Sequence, residues 1–183
     1  MIRKRMFMAA VLGAVSGLLM AAPLNIGPAS KSTLTATFKQ EGVAVESSFK
    51  SFKGVIDFDP KNVAGASALI DVDMASLDLG DPAYSEELRK KSWFDSAGFP
   101  RGVFKSTTIK AVNATRFDAT GTLTVKGRVL TITVPVAIST SPAGPVFDGN
   151  FVMSRKAFGI GDPIWEDAVD DKVTVKFHLV GGK

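Results

Sequence analysis

From Ser32 onward apolar and polar residues alternate with a period of two, and no other feature of the chain restricts its fold as strongly. Leu34, Ala36 and Phe38 alternate with Thr33, Thr35, Thr37 and Lys39. The pattern returns at Phe52, Gly54, Ile56 and Phe58, and again at Ala68, Ile70, Val72 and Met74. It continues through Phe117, Ala119, Gly121, Leu123 and Val125, and through Leu130, Ile132, Val134, Val136 and Ile138. Phe147, Gly149, Phe151 and Met153 repeat it, as do Val173, Val175, Phe177 and Leu179. Successive side chains of a strand point to opposite faces. Each run therefore has one apolar face and one mostly polar face, as a half-buried antiparallel sheet requires.

Turn residues separate the runs at Asp59-Pro60-Lys61-Asn62, Lys126-Gly127-Arg128 and Ser141-Pro142-Ala143-Gly144-Pro145. The short Lys126-Gly127-Arg128 link predicts a hairpin of strands 117–125 and 129–138. About eight strands with closely spaced turns make an all-β sandwich or barrel, and closure into an antiparallel β-barrel removes the exposed edges. One segment departs from the period. Asp81 is a helix cap, Pro82 suits the first helical position, Glu86 and Glu87 come early, and Arg89, Lys90 and Lys91 come late. That charge order matches the helix dipole and predicts one short helix over about 82–91, with Tyr84, Leu88 and Lys91 on one face. With Trp93, Phe94 and Phe99 it is expected to lie across a barrel end.

Before the alternation begins, the N-terminus reads as an address. A basic start (Arg3, Lys4, Arg5) precedes an uncharged run from Met6 to Met20, with Ala21 and Ala22 after it. This is the order of a secretory signal peptide, and the run is short for a membrane span, which needs roughly 20 residues. Cleavage is expected after about residue 22 or, at the Gly27-Pro28-Ala29 site, after 29; an uncleaved anchor is the alternative. The expected organisation is a leader over 1–29 and a single domain over 30–183, exported to the periplasm. The three leader cations also supply most of the formal charge of +4, leaving +1 for the rest. Such a surface lacks the dense basic face of a nucleic-acid binder. The chain has no cysteine, which removes disulfides, thiolate chemistry and cysteine-ligated zinc.

Catalytic signals are weak. His178 is the only histidine. It shares the polar face of its strand with Thr174 and Lys176, so an outward position is expected rather than a general base or metal ligand. No nucleophile-elbow motif occurs. Asp57 and Asp59, and Asp71 and Asp73, share polar strand faces, which solubilises a sheet but does not shape a hard-cation site. Asp162, Glu166, Asp167, Asp170 and Asp171 surround Pro163, Ile164 and Trp165, as a calcium loop, a partner surface or an ordinary connection would. Gly159-Ile160-Gly161 is too short for a phosphate cradle, and Asn113-Ala114-Thr115 is a common triplet. No catalytic or metal-ligating residue is assigned and no cofactor is required. What remains is 13 phenylalanines against one tyrosine, many on the inward face. They form either a packed core or the lining of an apolar pocket.

Several short stretches, in order, resemble the YceI-like family. They are Phe49-Lys50-Ser51-Phe52-Lys53-Gly54, Trp93-Phe94-Asp95, Phe99-Pro100 leading to Phe104-Lys105-Ser106-Thr107, and Gly121 to Gly127. Phe151 to Arg155, Phe158-Gly159-Ile160-Gly161 and Trp165 complete the set, so the resemblance runs from about Leu34 to Leu179. It implies a lipocalin-like barrel in the bacterial periplasm that holds polyisoprenoid chains, quinone tails among them, without catalysis. Members often carry a histidine early in the mature chain, and the matching stretch, 38–45, has none. The expected function is a periplasmic carrier of an isoprenoid or quinone-type lipid, in transient contact with a membrane and with room for a homodimer. The rivals are an adaptor with a solid core acting through the loop 162–171, and a hydrolase-type enzyme. The expected lining is Phe52, Ile56, Phe58, Met74, Leu88, Trp93, Phe94, Phe104, Phe117, Leu123, Phe151 and Phe177.

Overall fold

The computed structural model describes residues 22–182. The basic start and apolar run of the leader lie outside the described residues. Eleven strands form one antiparallel sheet: β1 (Leu24–Ile26), β2 (Thr33–Gln40), β3 (Val43–Phe49), β4 (Phe52–Asp57), β5 (Ser67–Asp73), β6 (Leu77–Asp78), β7 (Arg101–Ala111), β8 (Arg116–Val125), β9 (Arg128–Ser141), β10 (Gly144–Ser154) and β11 (Lys172–Val180). Their order is β1-β4-β5-β7-β8-β9-β10-β11-β2-β3-β6.

That order explains the difference from the expected eight. β3 and β4 stand near opposite ends of the sheet, yet only Lys50 and Ser51 separate them in the chain. They are one strand bent at that corner, so the sheet curls round and meets itself. Counting them together, and setting aside the short β1 and β6, leaves eight long strands. β1 completes the seam: Asn25 and Gly182 exchange backbone hydrogen bonds of 3.0 Å in both directions. Residues 24–26, assigned to the leader on sequence, thus belong to the sheet, and Ile26 is buried in the core.

Local chemistry sets the turns. β8 and β9 pair from Val125 against Arg128, with Lys126 and Gly127 both at positive φ (48° and 72°). A two-residue turn of that hand follows the right-handed strand twist, and glycine adopts it without a steric cost. Glu41 and Gly42 make the same turn between β2 and β3.

The helix α1 is Pro82–Arg89, shorter than expected, because Lys90 returns to extended backbone. Asp81 caps it by accepting from the N–H groups of Ala83 and Tyr84. The chain then folds back, and Phe94, Ser96 and Asp95 donate to the carbonyls of Leu88, Arg89 and Lys90. These bonds satisfy the last carbonyls that a helix leaves free. The buried face of α1 is Ser85 and Leu88; Tyr84 is exposed and Lys91 lies past the helix end. This corrects the expected Tyr84–Leu88–Lys91 face.

Two clusters of buried side chains fill the interior. One sits at the α1 end and contains Met74, Leu88, Trp93, Phe158 and Val169. The other contains Ile26, Leu34, Phe52, Ile56, Phe147 and Leu179.

Candidate ligand-binding site

The inward face of the sheet does not close on itself completely. A cavity of about 270 Å³ runs through the barrel, walled almost wholly by apolar side chains. Inward residues of β8 border it from Phe117 to Val125, eight residue steps and so roughly 26 Å along the strand. Toward one end three of the lining rings pack on one another. The ring of Phe58 meets Phe117 edge to face at 5.2 Å between centroids and Phe147 at 5.7 Å. Edge-to-face contact places the positive rim of one ring on the negative face of the next. The other end lies beneath α1 and the segment 155–171, where Tyr84, Glu87, Gln40 and Trp165 border the space.

Eleven of the twelve residues expected to line the interior border this cavity: Ile56, Phe58, Met74, Leu88, Trp93, Phe94, Phe104, Phe117, Leu123, Phe151 and Phe177. Phe52 does not. It points inward, as its period requires, but is 5 % exposed and packed into the second core cluster. The bend between β3 and β4 brings it against Ile26 and Leu34 rather than against the barrel cavity.

The polar side chains of the wall were not identified from the sequence, although the signal existed. Gln40 continues the inward series Leu34, Ala36, Phe38, and Arg155 continues Phe151, Met153. A polar residue that extends an apolar series keeps its inward direction. Arg155 is 4 % exposed, and its guanidinium donates to the carbonyls of Ile160 (2.9 Å), Val169 (2.7 Å) and Asp170 (3.1 Å). These bonds suspend the segment 160–170 over the end of the barrel. Gly161 allows the approach: at its φ of 130°, a Cβ there would lie 1.9 Å from an Arg155 nitrogen. Trp93 packs beside this network with a buried Nε1–H that has no hydrogen-bond acceptor.

Charges outside the wall have separate partners. Lys126 donates to the carbonyls of Gly159 and Ser92. Burial holds its ammonium below the usual lysine pKa, with the charge of Asp95 opposing and that of Arg128 adding. Asp171 accepts from the Ser154 hydroxyl and the Lys156 N–H. Burial raises its pKa, but those two bonds, with the charges of Lys156 and Arg155, outweigh it and leave the carboxyl below its ordinary value. Glu166 pairs with Lys156, and Asp162 caps the turn at Ile164. Among the described residues no three His, Asp or Glu side chains converge as a metal set.

The other candidate carboxylates also work singly. Asp71 pairs with Arg101 at 2.5 Å, Asp73 caps Ala75, and Asp59 accepts from the Lys61 N–H. His178 lies on the outer face, where its Nδ1 meets Asp148 on the neighbouring strand at 2.7 Å. Both side chains are nearly half exposed and neither borders the cavity.

Known proteins agree with this geometry. The barrel is similar to Burkholderia cenocepacia BcnA, with a TM-score of 0.80 and 40% identity, over 83% of this chain and 97% of that one. A polyisoprenoid binding domain from Saccharophagus degradans shares the fold at a TM-score of 0.67 and 17% identity, over 86% of this chain and 97% of that one. In sequence, a UPF0312 protein of Vibrio parahaemolyticus is 29% identical over 100 residues, which are 55% of this chain and 51% of that protein. A UPF0312 protein of Yersinia pestis is 32% identical over 97 residues, 53% of this chain and 48% of that one. The chain thus spans about half the length of the relatives it matches in this way. The model of the YceI-like domain matches residues 26–181, from the first core residue of β1 to just past β11. The chain belongs to the YceI-like domain family.

Proposed function

We propose that the protein carries a long-chain lipid of the isoprenoid or quinone-tail type inside its barrel, outside the cytoplasm and without a catalytic step. The observation that supports this reading is the continuous apolar cavity. Its volume stands near the lower limit of small-molecule pockets, which run from about 300 Å³ upward. Its length and narrow apolar wall suit a chain rather than a compact molecule. A related barrel described as a polyisoprenoid binding domain favours the same ligand class.

Export is the second part of the proposal. The buried position of Ile26 favours cleavage near Ala22, because removal of everything through Ala29 would take a strand out of the sheet. The mature chain would then meet the outer face of a membrane to collect its ligand through the end beneath α1.

The test is organic extraction of protein purified from its native periplasm, with mass spectrometry of the extract. A stoichiometric long-chain lipid supports the carrier. An empty protein that also fails to take up added isoprenoid would leave the cavity without an occupant and overturn the reading.

A further inference from the structure

The cavity is chemically lopsided. Toward Phe58, Phe117 and Phe147 its wall is apolar throughout. The charged side chains that border it, Glu87 and Arg155, both stand at the α1 end. They are not equivalent. The Glu87 carboxylate is paired with the Lys90 ammonium at 2.5 Å, so its charge is answered on the surface. Arg155 is nine-tenths buried and meets only backbone carbonyls. Asp171, which shares its neighbourhood, has Oδ1 engaged by Ser154 and Lys156. A guanidinium carries five N–H donors, and three bonds leave it with donors to spare. The charges of Asp171 and Glu166 reach Arg155 only through space, with no hydrogen bond from either to its guanidinium, so a ligand oxyanion at the cavity end would meet the donors left over in a charge-assisted bond.

Resting on the barrel-binding reading, we infer that the ligand is an amphiphile with an oxyanion head, a carboxylate or a phosphate ester. It sits tail inward, with its head at the α1 end where Arg155 recognises it. The tail occupies the space toward Phe117 and Phe147. Trp93, whose indole N–H lacks an acceptor at the same end, gains one when the head settles there after a small shift of the ring.

The chain's two tryptophans, Trp93 and Trp165, both border the α1 end, so intrinsic fluorescence reports occupancy and orientation together. The probes are hexadecanoate, hexadecanol, hexadecylamine, and hexadecanoates brominated either beside the carboxylate or at the far methyl. Hexadecanoate is expected to bind about tenfold more tightly than hexadecylamine, the worth of roughly one charge-assisted hydrogen bond. Bromine beside the carboxylate is expected to quench more strongly than bromine at the methyl. Arg155→Gln is expected to bring the ratio of hexadecanoate to hexadecylamine affinity toward one, whatever its effect on hexadecanol, and Arg155→Lys to keep part of the preference. The quenching comparison needs no substitution, so it stands even if Arg155 variants fold poorly. Equal binding of the acid and the amine, or stronger quenching by the methyl-end bromine, overturns the oriented head seat while the barrel reading survives. Failure of every probe, hexadecanol included, overturns the barrel reading itself.

Discussion

Phenylalanine-to-alanine substitutions separate solid core from cavity wall, because the same deletion has different consequences in the two places. Phe52 is 5 % exposed, lies outside the barrel cavity and packs among Ile26, Leu34 and Ile56. Phe158 is 1 % exposed, does not border the cavity and packs in the core cluster at the α1 end. Truncating either leaves a new void, and the cost is about 3–5 kcal/mol. Phe104 and Phe151 are partly exposed residues whose rings border the existing cavity. A ring with one side on empty space already lacks partner atoms there, so its removal forfeits roughly half as much, about 2 kcal/mol. The assay is urea unfolding of lipid-free protein followed by circular dichroism. With a denaturant slope of about 2 kcal/mol/M, the first pair should lower the midpoint by about 2 M and the second by about 1 M. Four equal shifts of about 2 M would mean that Phe104 and Phe151 touch packed neighbours on every side, and the cavity argument would fall with them.

Other outcomes follow from the same structure. His178→Ala should change stability by less than about 1 kcal/mol and leave lipid uptake intact, since an exposed pair of polar side chains contributes little; lost uptake in a folded variant would return His178 to the functional site. The Asp171 carboxyl titrates lower in the folded chain than its ordinary value of 3.8. Its ionised form therefore stabilises the fold at any pH above that value, and the contribution disappears as acid carries the pH down through the folded pKa. Asp171→Asn should consequently be less stable than the parent at neutral pH, with the difference narrowing below about pH 4; acid unfolding curves that stay parallel would remove Asp171 from the account. The intact mass of exported protein should correspond to a chain beginning close to Pro23, and a mass starting at Ser30 would show that β1 is dispensable.

The strands legible in the sequence were those whose period survives without interruption, above all β8, β9 and β11. β7 was obscured by its own geometry. Phe104 and Ile109 both border the cavity although they are five residues apart, which strict alternation forbids. A bulge between Ser106 and Thr108 supplies the extra residue and reverses the parity. β3 was hidden for a different reason: it turns the small polar Ser47 inward, where its hydroxyl donates to the Ala36 carbonyl, and leaves Val43 exposed at the turn. β1 was lost because the apolar N-terminal run and the first strand follow each other with little change in composition. At the site, the apolar wall followed from period alone. Phe52 did not border the cavity because closeness to a bend is a tertiary property, and the suspension of the segment 160–170 from Arg155 depends on a loop path that no local pattern encodes.

In the proposed carrier role the protein must give up what it binds, and the balance of forces explains why the polar end of the cavity matters. Each methylene removed from water gains about 0.8 kcal/mol, so a long tail gains a great deal on entering the barrel. A bilayer offers that tail nearly the same environment. Transfer from membrane to barrel therefore cancels most of the hydrophobic gain, and the residue is set by packing against the wall and by the head group. The wall selects weakly, since a methylene more or less in an apolar pocket changes affinity only modestly. A buried donor left without its acceptor discriminates more strongly, because the unpaired group carries the full desolvation cost. On the proposed reading, the apolar length of the cavity selects the kind of tail, while the few donors beneath α1 select which lipid among those tails is held, and how readily it returns to the membrane.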